Sequence, residues 1–244
     1  MKRFVLVTLV AIVLFALTGC VSQQVVSTKL QDIMDKHGVI VKVENPMSRF
    51  ALSGNLVALL EQIDADLEKC PQFFKANIGP VIIEESFIDN ANAWPLPMGM
   101  RGYVSVKEEN QRFPVHIKNR SLMEKTLLFA PRDDELFLHE ASHSFEFNVG
   151  THKYEQWLRF YNEFGGSSNN EYGGIVASLI TMALPLPPGA PDGYASFYAS
   201  VNHLEDFAET HCYLRRHDIE QIKEKDPVLY QKCKAVEKFV AGQI

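Results

Sequence analysis

Hydrophobic residues follow two different spacings along the chain, and the first half carries mostly strand-like patterns. Runs of β-branched or alternating apolar residues predict strands at residues 39–43, 81–83, 103–106, 113–117 and 126–129. Between the first two runs, apolar residues recur every three or four positions from Ser53 to Cys70, which predicts a helix with one apolar face. The first half therefore predicts a small mixed sheet accompanied by a helix.

The second half of the chain carries mainly helical patterns. A helix is predicted from Arg132 onward, because an acidic first turn suits the helix dipole, and another at about residues 152–164. Two more are predicted at residues 202–215 and from Asp226-Pro227 through Val240, where proline suits the first helical position. Strands followed by helices indicate an α+β fold rather than alternating βαβ units.

The first twenty residues differ from the rest. Lys2 and Arg3 precede an apolar run over residues 4–17, and Leu17-Thr18-Gly19-Cys20 resembles the lipobox of bacterial lipoproteins. Residues 1–19 are therefore predicted to be a signal peptide, with Cys20 lipidated and residues 20–30 forming a tether. An ordinary secretory signal and an uncleaved anchor are the alternatives, and both also export the chain.

Composition and charge restrict the partners. The chain is 46% hydrophobic and 22% charged, which is ordinary for a globular protein. Removing residues 1–19 takes away Lys2 and Arg3 but no acidic residue, so the net charge changes from −6 to −8. An acidic protein without a long basic run is a poor partner for nucleic acid. We expect a lipid-anchored protein of the bacterial envelope, at the outer membrane of a Gram-negative cell or the surface of a Gram-positive one.

Three cysteines follow Cys20. In an oxidising compartment Cys212 and Cys233, which lie on two predicted helices, are the first choice for a disulfide, with Cys70 left as a free thiol. Three buried thiols are an equal alternative.

The strongest chemical signal is the HExxH motif His139-Glu140-Ala141-Ser142-His143. Residues four apart share one face of a helix, so both imidazoles can bind one zinc ion. Glu140 points about 100° away, where it can act as a general base toward a water molecule. The motif thus predicts a site for one catalytic zinc ion per chain.

A third ligand is expected from a later helix. Glu205 and Glu209 lie one turn apart on one helical face, as in Glu-type zincins, where the first acid binds zinc and the second holds a zinc-bound histidine. We assign these roles to Glu205 and Glu209. A capping box that starts at Asn202 would also explain Glu205, and His203 and His211 compete as ligands.

The pairing of this HExxH motif with Tyr198-x6-Glu205-Asp206-Phe207-Ala208-Glu209 resembles the catalytic domain of the anthrax-lethal-factor-like family, which includes secreted Pro-Pro endopeptidases. The resemblance implies that Glu205 binds zinc and that Tyr198 stabilises the oxyanion. Tyr194 is the alternative donor, and these aromatic residues could simply belong to the core. The gap between His143 and Glu205 is longer than the family pattern, so Pro-Pro specificity is not carried over.

The same resemblance implies a zincin-like fold in a single catalytic domain over residues 31–244. An N-terminal lobe, at about residues 31–150, would contain the sheet and a helix, and a helical C-terminal lobe, at about residues 151–244, would face it across a cleft. We expect a zinc-dependent endopeptidase of extracytoplasmic proteins, with residues 102–106 as an edge strand for an extended peptide. A zinc amidase acting on peptidoglycan peptides and a non-enzymatic envelope-binding lipoprotein are the rival functions.

Overall fold

The structure is a computed structural model, which describes residues 23–44, 54–85, 102–104, 112–119, 136–149, 155, 190–200 and 203–244. The predicted signal peptide, the lipidation site Cys20 and the strand at 126–129 lie outside these residues. Of the helix predicted at 152–164, the structure describes residue 155, which is helical. Within the described part of the chain, every helix is too short or too polar to cross a membrane.

Six α-helices and four β-strands are bounded within these described ranges, together with short 3-10 helices at Tyr198–Ser200 and Ile219–Ile222. In chain order they are α1 (residues 23–37), β1 (Val41–Val43), α2 (Gly54–Lys69), α3 (Gln72–Asn77), β2 (Val81–Glu85), β3 (Gly102–Val104), β4 (Val115–Asn119), α4 (Leu136–Asn148), α5 (His203–Arg216) and α6 (Pro227–Val240). The predicted helices that correspond to α2, α5 and α6 are confirmed, as are the strand predictions behind β1, β2, β3 and β4. The short helix α3 was not predicted.

The tether prediction is wrong from residue 23 onward, because residues 23–37 form a helix. Val26 and Ile33 are buried in the core, and Leu30 packs partly against it. These residues lie four and three positions apart and therefore share one helical face. Polar residues between them mask this spacing, so the segment resembles a linker by composition.

The sheet is mixed, with strand order β1-β2-β4-β3. β2 pairs in parallel with β1 and with β4, whereas β3 runs antiparallel to β4 with Tyr103 opposite His116. Because α2 and α3 connect the parallel neighbours β1 and β2, the chain contains a βαβ unit that the α+β prediction left out. Among the described strands, β3 is the last in this order, as the edge-strand prediction requires.

Helix α4 lies against the sheet and is tied to it by buried polar contacts. Ser144 Oγ donates to the Phe113 carbonyl at 2.6 Å and accepts from the Gly79 amide at 2.9 Å. Asn148 Oδ1 accepts from the Phe113 amide at 2.9 Å. A side chain at Gly79 would meet the Phe113 carbonyl oxygen at 2.0 Å, so only glycine permits this close approach.

An aromatic cluster joins the helices behind the sheet. Phe145 of α4 stacks on Phe74 of α3 with ring centroids 5.0 Å apart and meets Phe239 of α6 edge-on at 5.3 Å. Phe207 of α5 contacts both Phe145 and Phe239. Such aromatic pairs stabilise packing beyond the area that they bury. They fix α4 and α5 side by side.

The three described cysteines, Cys70, Cys212 and Cys233, are buried free thiols. The structure therefore agrees with the alternative of three buried thiols and lacks the predicted Cys212–Cys233 disulfide. Burial raises the pKa of Cys70 and of Cys233 to about 12, so both stay protonated at neutral pH.

Candidate metal centre

The HExxH motif lies within α4, where the helical repeat brings its two histidines onto one face. His139 and His143 are four residues apart, and their Nε2 atoms lie 3.2 Å from each other. Both side chains are nearly buried, with exposed fractions of 13% and 12%. Two imidazole nitrogens thus point to the same small space beside α4.

Helix α5 brings the predicted third ligand to this space. Glu205 Oε2 lies 3.1 Å from His139 Nε2 and 3.4 Å from His143 Nε2. Zinc with tetrahedral ligands at its usual bond lengths of about 2.0–2.1 Å has ligand atoms about 3.3 Å apart. The triangle formed by His139, His143 and Glu205 therefore has the size and the donor atoms that one zinc ion needs.

The outer nitrogens of both histidines face carboxylates. Glu209, one turn after Glu205, places Oε1 at 2.8 Å from His139 Nδ1. Glu146, in α4 itself, places Oε2 at 3.4 Å from His143 Nδ1. Because a carboxylate accepts hydrogen bonds, each Nδ1–H can donate outward and leave the Nε2 lone pair for a metal. Glu146 is the residue of this site that the sequence analysis missed.

The carboxylates control the charge of the imidazoles. Burial opposes the charged form of His143, but Glu146 and Glu205 outweigh it and raise its pKa to about 9. In the same way, Glu205 and Glu209 overcome burial and raise the pKa of His139 well above its usual value. Burial alone would raise the pKa of Glu205, yet its contacts with both histidines lower it. The centre therefore attracts positive charge, as a cation site should.

Glu140 is a buried carboxyl beside the triangle. Its exposed fraction is 9%, and its charge interacts with those of His139, His143 and Glu205. Burial raises the pKa of Glu140 above its usual value, while the two histidines oppose this. A carboxylate whose pKa moves toward neutrality is better suited to accept a proton from water.

Tyr198 begins a short 3-10 turn, Tyr198–Ser200, immediately before α5. Its ring stacks on His139 with centroids 6.0 Å apart, and its hydroxyl hydrogen-bonds with Glu205. Burial and the negative charge of Glu205 raise the pKa of Tyr198 above its usual value, so its phenol stays protonated and remains a hydrogen-bond donor. The alternative donor, Tyr194, instead places its ring over the Lys232 ammonium, 3.9 Å from the centroid.

His211 has a partner other than the metal triangle. Arg215 Nε donates to His211 Nε2 at 3.1 Å, so the proton of this imidazole lies on Nδ1, 2.9 Å from Ser142 Oγ. Ser142 Oγ donates in turn to the Leu138 carbonyl at 2.7 Å. This chain of hydrogen bonds joins α5 to α4. Neither His211 nor His203 belongs to a metal-sized cluster among the described residues.

Asp206 faces away from its neighbour Glu205, because successive helical residues are rotated by about 100°. Its Oδ2 forms a buried ion pair with Lys232 of α6 at 2.7 Å. Helix α5 is thus held on one side by α6 and on the other by α4. These contacts on both sides of α5 fix the position of Glu205 relative to the two histidines.

A second histidine–carboxylate cluster lies where α1 meets α2. His37, at the end of α1, and Asp64 and Glu68 of α2 also bring ligand atoms to within 4.8 Å of one another. Lys36 occupies this cluster, with Nζ 3.0 Å from Asp64 and 2.7 Å from Glu68. The ammonium group of Lys36 therefore already pairs with both carboxylates that a metal would need.

No model of a known protein family matches the chain, and no curated protein matches its sequence. Among solved structures, the crystal structure of a proposed zinc-binding metallo-peptidase from Bacteroides caccae is similar, with a TM-score of 0.48 and 14% sequence identity. The match covers 91% of this chain and 86% of that chain. The resemblance to the lethal-factor-like family stays a prediction, and the side chains of the centre carry the functional proposal.

Proposed function

We propose that the protein is a zinc-dependent endopeptidase that hydrolyses extracytoplasmic proteins. The observation that supports this most directly is the triangle of His139, His143 and Glu205, whose edges match those of tetrahedral zinc. Three protein ligands leave one coordination position for water or substrate, which is typical of catalytic zinc sites. A structural site would have no use for the buried base Glu140.

Each residue of the centre has a role in this proposal. Bound zinc would supply Lewis-acid chemistry, activating water and polarising the scissile carbonyl. Glu140 takes the proton of the attacking water on its carboxylate and passes it to the leaving amine. Tyr198 exchanges its hydrogen bond with Glu205 for one to the oxyanion of the tetrahedral intermediate. Glu209 holds His139 through Nδ1.

The substrate proposed for this centre is an extended peptide. β3 is outermost among the described strands of the sheet and lies against α4, the helix that bears the HExxH motif. A peptide that pairs with such an edge gains backbone hydrogen bonds that do not depend on its sequence. Residues 102–104 of the proposed binding edge belong to β3, and residues 105–106 lie outside the described residues.

The proposed location is the bacterial envelope. The apolar run at residues 4–17 followed by Leu17-Thr18-Gly19-Cys20 supports export and lipidation at Cys20. Acyl chains on Cys20 would hold the catalytic domain at a membrane surface and bring it to exported proteins. Detection of the acylated Cys20 peptide by mass spectrometry would test the anchor separately from catalysis.

The test of catalysis is digestion of a peptide library and of peptidoglycan peptides, with and without a chelator. We expect one zinc ion per purified chain and chelator-sensitive cleavage of the peptide library. Glu140→Gln should retain zinc and lower cleavage by about 10²–10⁴-fold, the contribution of a general base. Glu61→Gln, on the exposed side of α2, is the matched control and should cleave normally.

Full activity of the Glu140→Gln variant would disprove the mechanism. Cleavage of peptidoglycan peptides alone would instead identify an amidase. A zinc-loaded protein that cleaves neither substrate would favour the binding lipoprotein.

A further inference from the structure

Glu146 lies one helical turn beyond the HExxH motif and contacts its second histidine. Residues three apart on a helix are neighbours on its surface, so the motif extends to His139-Glu140-x-x-His143-x-x-Glu146. Glu146 Oε2 is 3.4 Å from His143 Nδ1, and the Glu146 side chain is 1% exposed. The carboxylate thus lies directly behind an imidazole that faces the proposed metal position.

The surroundings of Glu146 make it an unusual core residue. Its other oxygen, Oε1, is buried and has no hydrogen-bond partner among the described residues. A buried carboxylate with so few partners is costly, and an apolar side chain of similar size would suit the core better. The fold alone therefore gives no reason for a carboxylate at this position, whereas the adjacent imidazole does.

Glu209 shows what such a carboxylate does for the other histidine. It approaches His139 Nδ1 at 2.8 Å from α5, while Glu146 approaches His143 Nδ1 from within α4. In both cases the Nδ1–H donates to a carboxylate, and Nε2 is left to face Glu205. Such outer partners fix the tautomer and the orientation of a metal-binding imidazole and increase its basicity.

We infer that Glu146 is a positioning residue that orients His143 for metal binding, as Glu209 does for His139. This inference rests on the proposed metal centre but not on peptidase activity. It requires only that Glu146 offers an oxygen to the Nδ1–H of His143. A side chain with the same shape and an acceptor oxygen should therefore substitute for it better than an apolar one.

The main test measures zinc affinity of the full chain by competition with a chromophoric chelator. Glu146→Leu should weaken zinc binding by about 10–100-fold, as loss of an outer partner does. Glu146→Gln keeps an acceptor oxygen, and we expect its affinity within about threefold of wild type. Glu209→Leu should match Glu146→Leu. Asp66→Leu, which removes another buried carboxylate far along α2, is the control and should leave zinc affinity unchanged.

Spectroscopy separates positioning from a general loss of packing. Cobalt bound to Glu146→Leu should have an altered visible spectrum, and cobalt bound to Asp66→Leu should have that of wild type. If Glu146→Leu does not fold, the NMR resonance of the His143 Nδ1–H in zinc-loaded Glu146→Gln tests whether residue 146 accepts a hydrogen bond from His143. That proton should shift upfield, because a neutral amide oxygen accepts a weaker hydrogen bond than a carboxylate.

Zinc binding by Glu146→Leu within twofold of wild type would overturn the inference, as would an unchanged His143 proton in Glu146→Gln. An equal loss of affinity in Asp66→Leu would also overturn it. Wild-type protein that binds no zinc would instead refute the proposed function, before any variant is compared.

Discussion

Among the residues that the structure describes, two clusters contain histidine and carboxylate ligands at metal-binding distances, but they differ in what surrounds the ligands. In the HExxH cluster, two imidazoles face the carboxylate of Glu205, and all three side chains are nearly buried. In the second cluster, the carboxylates of Asp64 and Glu68 face the ammonium of Lys36, and Glu68 is 62% exposed. Of these two arrangements, only the first leaves donor atoms that a metal ion can use without displacing the ammonium group of Lys36.

The comparison shows that ligand types and spacing do not by themselves define a metal centre. The imidazoles of the first cluster can lose their protons, whereas Lys36 is a lysine whose ordinary pKa already keeps it charged at neutral pH, and hydrogen bonds with Glu68 and Asp64 raise that pKa further. Outer carboxylates also hold both imidazoles of the first cluster by Nδ1. A proton can be exchanged for zinc at the first cluster, but an ammonium ion occupies the second.

The largest expected difference between the clusters is in zinc content. Glu205→Ala removes one of three ligands, so zinc affinity should fall by more than the roughly 100-fold that an outer partner contributes. Glu68→Ala removes the corresponding carboxylate of the second cluster and should leave zinc content at one ion per chain. Metal analysis after dialysis measures both. Equal zinc content in the two variants would show that Glu205 is not a ligand.

A second difference should appear in the response to pH. Zinc binds imidazoles in their neutral form. Burial lowers the pKa of His143, but Glu146 and Glu205 outweigh burial and raise that pKa to about 9. Zinc must therefore displace a proton at neutral pH, and its affinity should rise about tenfold per pH unit for each proton released between pH 6 and 8. Competition with a chelator across this range measures the slope, and a flat profile would contradict the expectation.

The stability of the metal-free protein should follow the opposite trend. Because the folded pKa of His143 is raised, its contacts stabilise the fold fully below about pH 6.5, the unfolded value, and this stability is lost as the pH rises through about 9. At the second cluster, hydrogen bonds with His37 and then Lys36 lower the pKa of Asp64, so its contribution is lost only as the pH falls below the usual aspartate range. Thermal melts of Asp64→Asn should therefore keep the wild-type pH trend between pH 6.5 and 9.

The residues of the first cluster could be grouped from the sequence because they obey a local rule. His139, Glu140 and His143 lie within one helical turn, and Glu205 and Glu209 repeat that spacing on another helix, so helical geometry alone groups each set. The approach of α4 to α5 depends on the aromatic cluster around Phe145, which no local pattern reveals. The prediction that these two helices meet came instead from the resemblance to a known family.

The sequence analysis missed the features that depend on distant contacts. His37 and Asp64 are 27 residues apart and meet only because α1 packs on α2, and the first part of α1, up to residue 30, was predicted as a tether. The i,i+3 spacing of His143 and Glu146 was visible, but only burial shows that this glutamate belongs to the centre. The free thiols likewise depend on how α5 and α6 pack, which cysteine spacing does not determine.

The smallest expected effect is weak zinc binding at the second cluster after its ammonium group is removed, which makes this cluster more like the first. Lys36→Met keeps much of the apolar stem but removes the ammonium between Asp64 and Glu68. In a Glu205→Ala background, where the first cluster is silenced, this change should create weak zinc binding at His37, Asp64 and Glu68. Because Glu68 is exposed and must be ordered on binding, we expect an affinity at least about 100-fold below that of the wild-type centre.

The matched control is Lys29→Met in the same background, because Lys29 is also on α1 but pairs with Glu61 outside the cluster. Titration with zinc, followed by the shift of the His37 imidazole resonances, distinguishes the two variants. Binding in Lys36→Met and not in Lys29→Met would show that the ammonium alone separates the second cluster from a metal site. If neither binds, burial and the outer carboxylates matter more than the missing cation. If the protein with Lys36 intact binds zinc at His37, the charge argument for the difference between the clusters is wrong.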